Sequence, residues 1–149
     1  MIDPAIAYNL GGKLVMLGWA GLIASLFVER ARPAVQTATR LIIPALLALA
    51  YGLLIWTGFG EAPDGGFGSI AEVRALFASD SALTAGWLHY LAFDLFVGSW
   101  IVADGIERRI PGLLILPCLP LTLLFGPLGL LLFILMRLAF TRPQLAENR

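Results

Sequence analysis

The chain has 149 residues, of which 59% are hydrophobic and 13% are charged, and its formal net charge is zero. Soluble domains carry about 25% charged residues, so this chain has too little charge to cover a surface in water. The balanced charge gives no support to nucleic-acid binding, which needs a basic surface. The single cysteine, Cys118, excludes an intrachain disulfide and a multi-cysteine metal site. We therefore expect a polytopic all-α membrane protein that binds no nucleic acid.

The first half of the chain contains two apolar runs, each close to the 20 residues or so that a membrane span needs. The first covers about residues 10–28, with Lys13 near its start, where we expect the long side chain to reach the interface. No basic residues precede this run, so we expect a retained span rather than a cleaved signal peptide. Because Pro33 should stop the first helix, we expect a basic loop before the second run, at about residues 41–59.

The segment between residues 60 and 81 is the longest polar part of the chain and begins with turn-forming residues. Ser69 and Glu72 have the spacing of a capping box, with Ser69 at the N-cap. Apolar residues then recur at helical spacing, which predicts a short amphipathic helix on the membrane surface between spans two and three.

The second half contains two further apolar runs, at about residues 84–103 and 112–140. Prolines and a Gly126-Pro127 pair interrupt the last run, so we expect either an irregular first part that lines a pocket or a kinked helix. Residues 1–149 would then form a single domain of four transmembrane helices. Four spans would place both chain ends on one side of the membrane, with Lys13, His89 and Arg137 toward that side and Asp104 toward the other.

Asp94 lies in the middle of the third run and is the most informative residue in the sequence. A carboxylate at the centre of a bilayer costs about 2.5–3.5 kcal/mol or more, and such residues usually face a protein interior. One interpretation is structural, with Asp94 joining helices through Tyr90 or a base. The other is a general acid or base, because burial disfavours the ionised form of a carboxyl group.

Two neighbours of Asp94 are candidate partners. Tyr90 lies one helical turn before it on the same face, whereas His89 is five residues before it, so their side chains point about 140° apart. His89 is the only histidine, and no cluster at ligand spacing accompanies it, so we expect no metal site. His89 and Asp94 could still flank one pocket between helices, and an interfacial or hydrogen-bonded histidine is the alternative.

Several motifs of the second half together resemble one family. They are Trp87-x-His89-Tyr-Leu-Ala-Phe-Asp94-Leu-Phe-Val-Gly98, Trp100-Ile-x-x-Asp104, Pro117-Cys-Leu-x-Leu-Thr122 and Gly126-Pro127-x-Gly129-Leu-Leu. As an ordered set they resemble the abscisic-acid-deficient-4-like family of small polytopic membrane proteins. Ser99 stands where related sequences commonly have an arginine.

The resemblance implies a function in carotenoid modification, since plant members of this family are tied to neoxanthin formation from violaxanthin. It implies a membrane enzyme without a cofactor that isomerises an epoxy-carotenoid, with Asp94 as acid and His89 or Tyr90 as base. The predicted substrate-binding residues are Trp87, Phe93, Trp100 and Phe125, with Lys13 and Arg137 as basic contacts, although packing and interfacial anchoring are the alternatives.

Other functions fit the same sequence. A non-catalytic carotenoid- or lipid-binding scaffold and a small transporter are the competing interpretations. The expected partners are the lipid bilayer and a carotenoid or other isoprenoid ligand, and a homo-oligomer would enlarge the small pocket that four short spans can form. A short chain without a transit peptide predicts the bacterial inner membrane.

Overall fold

The computed structural model describes residues 2–58 and 60–140, and all regular structure in these ranges is helical. By length and composition, three helical stretches are able to cross a membrane, and they cover Pro4–Phe27, Glu29–Gly58 and Asp80–Glu107. The remaining apolar helices, within Gly112–Phe125 and Pro127–Phe140, are shorter. The predicted all-α class is therefore confirmed, but the described residues contain three span-length stretches rather than the expected four.

The first helix, α1, covers Pro4–Phe27 and begins six residues earlier than the apolar pattern suggested. Its start is fixed by Asp3, whose carboxylate accepts hydrogen bonds from the backbone N–H groups of Ala5 (2.8 Å) and Ile6 (3.3 Å). Pro4 stands in the first turn, where a missing N–H costs nothing. We had expected Lys13 near the end of the first helix. Because α1 starts early, Lys13 instead lies near the middle of α1.

The second long stretch includes the segment that we expected to be a loop, and that prediction is wrong. It comprises a 3₁₀ turn at Glu29–Ala31, α2 at Arg32–Thr37, a π-helical turn at Ala38–Ile42 and α3 at Ile43–Gly58. Pro33 lies in the first turn of α2, where proline starts a helix rather than stopping one. The π turn ends two residues before Pro44, which has no N–H to donate to the Arg40 carbonyl one turn before it.

The third long helix, α5, covers Asp80–Glu107 and packs against both α1 and α3. Gly11 and Gly18 of α1 face Leu88 and Leu95 of α5, so these two helices run in the same direction. The α3 helix runs the opposite way, since its end, Gly58, lies against Ser81.

Buried polar groups join α5 to the start of the second long stretch. The Ser99 hydroxyl donates to the Gln36 side-chain oxygen (2.7 Å), and the Gln36 amide donates to the Ser99 carbonyl (3.2 Å). Thr39 adds a hydroxyl contact to Ser99 at 3.2 Å. Ser99 is completely buried in this arrangement, so its small size suits the position.

The predicted short helix between the second and third long stretches is present as α4, Ile70–Leu76. Ser69 caps it by accepting from the Glu72 N–H at 3.2 Å, as the sequence predicted. The Glu72 carboxylate completes the cap by accepting from the Gly68 N–H at 3.0 Å.

The last apolar run forms a hairpin instead of a span. It contains α6 at Gly112–Ile115, α7 at Cys118–Phe125 and α8 at Pro127–Phe140. Between α7 and α8 the chain reverses at Gly126, which has a positive φ of 37°. A Cβ on Gly129 would collide with the backbone of Thr122, so the two helices fold back on each other and do not form one kinked helix. We call the segment from Cys118 to Phe140 the α7–α8 hairpin.

The hairpin returns to the end of the bundle from which it came. Its α8 helix runs alongside the second half of α5, where Arg137 lies 3.2 Å from the Asp104 carboxylate. The expectation that Arg137 shares an end of the bundle with Lys13 and His89 is therefore wrong. Pro4 and Phe140 lie at opposite ends of the bundle, because the last run reverses halfway.

Candidate functional site

Asp94 lies at the tip of the α7–α8 hairpin. It is 14 residues into α5, about 21 Å from its start, and is only 9% exposed. A Cβ built on Gly126 would lie 2.9 Å from the Asp94 Oδ1 atom, so the carboxyl group directly abuts the backbone of the turn. The Oδ2 atom is buried and has no hydrogen-bond partner among the described residues. Burying a carboxyl oxygen without a hydrogen bond costs free energy, and such an atom in a folded protein calls for an explanation. We therefore take Asp94 as the centre of the candidate site.

Tyr90 joins α5 to the hairpin. Its hydroxyl donates a 3.0 Å hydrogen bond to the Leu123 carbonyl, and it is also close enough to interact with Asp94. In an uninterrupted helix, Leu123 would accept from residue 127, but Pro127 has no N–H. Tyr90 therefore supplies the donor that proline removed, and it holds the tip of the hairpin beside Asp94.

A cleft of about 490 Å³ lies directly beyond the hairpin tip. Because the hairpin stops at the level of Asp94, no further helix within residues 2–58 and 60–140 fills the space between α1 and α5 beyond its tip. Leu123 and Leu124 form the floor of this cleft, and the walls come from α1 and α5. Three predicted site residues line it, namely Lys13, Tyr90 and Trp87. We call this space the α1–α5 cleft.

The aromatic wall of the cleft is continuous. The ring of Trp87 stacks on Tyr8 with centroids 5.8 Å apart and contacts Tyr90 at 5.4 Å. Tyr8 was not among the predicted site residues, because it precedes the apolar run that we took as the first span. Because α1 starts at Pro4, Tyr8 lies on the first turns of this helix and can contribute to the wall of the cleft.

His89 lies outside this cleft. Its ring stacks on Phe93 (4.6 Å between centroids) and approaches Tyr51 of α3 (6.0 Å), so it faces a different side of α5. The structure thus separates His89 and Phe93 from Lys13, Trp87 and Tyr90. Phe125 is 57% exposed beside the hairpin turn and lines none of the described cavities.

Trp100 and Arg137 form a separate contact at the far end of the bundle. The Arg137 guanidinium lies over the Trp100 ring, 5.7 Å from its centroid, and the Phe133 ring meets Trp100 edge-on. Asp104 accepts from Arg108 at 2.7 Å in the same cluster. These residues hold α8 against α5 on the opposite side of the hairpin tip from the cleft.

No group of three or more potential metal-ligating side chains occurs within residues 2–58 and 60–140. The candidate site brings a carboxyl, a phenol and an ammonium group close together, from Asp94, Tyr90 and Lys13. Residues that the sequence did not single out as parts of the site include Gly126, Gly129 and Leu123, although the Gly126-Pro127 pair was a visible signal of the break.

Comparison with known families identifies a match that covers most of the chain. The family model described as ABA DEFICIENT 4-like matches residues 6–133. This chain belongs to the ABA DEFICIENT 4-like family. No curated protein and no solved structure matches the chain.

In this ABA DEFICIENT 4-like protein, the motifs that carried the resemblance fall on the two elements that form the site. Trp87, His89, Asp94 and Gly98 lie on α5, where Gly98 admits the indole ring of Trp19 from α1. The Trp100-Ile-x-x-Asp104 motif also lies on α5. The last two motifs form the hairpin, with Thr122 and Gly129 at its closest approach and Gly126 at its turn. The family's ordered motifs thus coincide with the packing of the hairpin on α5.

Proposed function

We propose that this protein is an integral membrane enzyme that isomerises an oxygenated isoprenoid lipid of the epoxy-carotenoid type, with Asp94 as its proton donor. The observation that carries the proposal is the Oδ2 atom of Asp94, which is buried at the hairpin tip beneath an apolar cleft and has no hydrogen-bond partner in the described part of the chain. Membership of the ABA DEFICIENT 4-like family supports the link to neoxanthin-related chemistry.

The proposed reaction adds one proton to the substrate and removes another, so the substrate gains and loses no proton overall. Converting an epoxide into an allenic alcohol requires a proton on the epoxide oxygen as the carbon–oxygen bond breaks, and loss of a proton from the neighbouring carbon chain. A protonated Asp94 would supply the first proton. Tyr90 is the second group within reach, whereas His89 faces another side of α5. Because the reaction is an isomerisation, it needs no oxidant or reductant.

The surroundings of the cleft support a lipid-soluble substrate. Large apolar side chains such as Leu17 (72% exposed) and Leu124 (66% exposed) lie uncovered on the helices of the bundle. Such surfaces are stable in lipid and unstable in water. A substrate dissolved in the bilayer would therefore enter between α1 and the hairpin without crossing water. We place the protein in a membrane, with the bacterial inner membrane as our specific proposal.

A direct test is conversion of an epoxy-carotenoid by the purified protein in liposomes. Violaxanthin is incubated with the wild type, with Asp94→Asn and with Asp80→Asn, and the products are separated by chromatography. We expect the wild type and Asp80→Asn to form an allenic product and Asp94→Asn to lose at least 100-fold of the rate, the usual contribution of a general acid. Asp80 is the matched control, since it lies exposed in the first turn of the same helix. Equal rates for Asp94→Asn and the wild type would refute the role of Asp94.

A second candidate is a non-catalytic binding protein for carotenoids or other lipids. It is favoured by one observation, that Asp94 lies behind the floor of the cleft and does not line it. Pigment that copurifies with the wild type and with Asp94→Asn alike, without any conversion, would support this function over the enzyme. Chemical crosslinking in native membranes tests the accompanying prediction of a homo-oligomer.

A further inference from the structure

The position of Lys13 is unusual for a basic residue in an apolar helix. It is nine residues after Pro4, so it lies about 14 Å along α1. Gly11 faces Leu88 and Gly18 faces Leu95, which places Lys13 level with Tyr90, close to the middle of the bundle. Placing a lysine near the centre of a membrane span costs free energy, and such residues usually face the protein interior or a functional cavity.

Lys13 lies in the wall of the α1–α5 cleft, and its neighbours there are mainly apolar. Among residues 2–58 and 60–140, no carboxylate lies within ion-pair distance of its ammonium group. Asn9, one turn earlier in the same wall, uses its amide to donate to the Ala5 carbonyl at 2.8 Å. The ammonium group thus brings a positive charge and hydrogen-bond donors to a lipid-facing cleft in which the described residues supply no ion-pair partner.

We propose that the cleft binds an amphiphile by its oxygen-bearing polar end, which accepts a hydrogen bond from Lys13. The hydrocarbon part of the ligand lies along the aromatic wall formed by Tyr8, Trp87 and Tyr90. This inference rests on the proposed function only in taking the cleft as the ligand site, and it is independent of any chemistry at Asp94. Lys13 is then a specificity-determining residue that distinguishes oxygenated lipids from hydrocarbons.

The charge on Lys13 sets an order of preference among ligands. A carboxylate or phosphate end group offers an ionised acceptor and binds best, because charge-assisted hydrogen bonds are stronger than neutral ones. A hydroxyl end group follows, and a hydrocarbon without oxygen binds least. A cleft that recognised only apolar area would bind the three classes equally when their chain lengths are equal.

The experiment uses the full chain in nanodiscs of neutral lipid with three probes of equal length. These are 9,10-dibromostearic acid, the corresponding dibrominated alcohol and the dibrominated alkane, whose bromine atoms quench tryptophan fluorescence. Trp87 reports binding because it lies in the cleft wall, and Trp87→Phe identifies the part of the quenching that comes from the cleft. The protein variants are Lys13→Met, Lys13→Arg and the control Arg40→Met, in which an exposed base outside the cleft is removed.

We expect the wild type to bind the acid more tightly than the alcohol and the alcohol more tightly than the alkane. Lys13→Met should weaken binding of the acid by about tenfold or more, the usual contribution of a hydrogen bond to a charged group, and leave the alkane unchanged. Lys13→Arg should keep the preference, and Arg40→Met should behave as the wild type. Equal binding of the three probes by the wild type would overturn the proposal, and so would an unchanged preference in Lys13→Met.

A second measurement covers the case in which Lys13→Met fails to fold. Lys13 is the only lysine in the chain, so a lipid-soluble amine-reactive reagent modifies it alone apart from the terminal amine. Bound dibromostearic acid should protect Lys13 in the wild type, whereas the alkane should not, and lack of protection by the acid would overturn the proposal.

Conversion of violaxanthin without any preference among the probes would refute the Lys13 inference alone. A preference for the acid without conversion would refute the enzymatic proposal alone.

Discussion

The hydroxyl group of Tyr90 donates to the carbonyl group of Leu123 across the junction between α5 and the α7–α8 hairpin. This bond replaces the one that Pro127 cannot make, and it ties the tip of the hairpin to the helix that carries Asp94. The geometry of the site therefore depends on one phenol oxygen at the hairpin tip.

Replacing Tyr90 by phenylalanine should destabilise the protein by about 1–3 kcal/mol, because the Leu123 carbonyl is left without a partner. The measurement is chemical unfolding in a mild detergent. Tyr51→Phe is the matched control, since Tyr51 is exposed on α3 and no hydrogen bond of its hydroxyl occurs in the described part of the chain. If the two variants unfold alike, the bond from Tyr90 does not hold the hairpin.

Replacing Gly126 by alanine should destabilise the protein for two reasons that can be separated. The new Cβ would meet the Asp94 carboxyl at 2.9 Å, and the φ of 37° is strained for an L-residue. We expect a loss of about 1–3 kcal/mol in unfolding free energy. Combining the change with Asp94→Ala should relieve the collision and leave the strain, so the double variant recovers only part of the loss.

The control for this substitution is Gly52→Ala. Gly52 lies in α3 with no atom within 4 Å of a Cβ, so alanine there should stabilise the helix by about 0.5–1 kcal/mol. Equal effects of Gly126→Ala and Gly52→Ala would contradict a turn that requires glycine.

The hairpin makes a clear prediction for topology in a membrane. Single cysteines at exposed positions 64, 109 and 140, each in a Cys118→Ala background, are labelled with a membrane-impermeant maleimide. We expect Phe140→Cys and Arg109→Cys to react from the same side and Asp64→Cys from the other. Labelling of Phe140→Cys together with Asp64→Cys would instead indicate a fourth full span.

Arg137 and Asp104 should be energetically coupled, because α8 brings them to 3.2 Å. A double-mutant cycle with Arg137→Gln and Asp104→Asn should give a coupling of about 0.5–1 kcal/mol, as expected of a partly exposed ion pair. Arg108 shares the same carboxylate, so the Arg108→Gln background should increase the coupling. A coupling of zero in both backgrounds would mean that α8 does not return along α5.

The sequence allowed good predictions wherever local patterns decide the structure. The helical class, the α5 helix around Asp94, the Ser69 cap and the shared face of Tyr90 and Asp94 all follow from periodicity and capping rules. The break near Gly126 was also visible, since a Gly-Pro pair cannot continue a regular helix.

Predictions failed where tertiary contacts decide. A mainly apolar run of 29 residues interrupted by prolines is compatible with a kinked span and with a hairpin, and the tertiary contacts of Gly129 with Thr122 and of Arg137 with Asp104 select the hairpin. The basic segment near Pro33 resembled a loop, but Arg32 donates to the Ser25 carbonyl at 3.1 Å and closes the end of α1, so the chain continues as helix. The spacing predicted that His89 and Asp94 lie on different faces of α5, but only the contacts of His89 with Phe93 and Tyr51 show that it lies outside the cleft.

The half-length hairpin has a consequence for how a membrane would supply this protein. Its tip reaches Asp94, halfway along α5, so in a membrane the cleft beyond it would open into only one of the two lipid leaflets. A ligand confined to the other leaflet would have to flip before it could bind, at a rate set by its own polar end group. The oxygen atoms that favour binding at Lys13 would also slow that flip, so the lipid asymmetry of the host membrane would control how quickly the cleft fills.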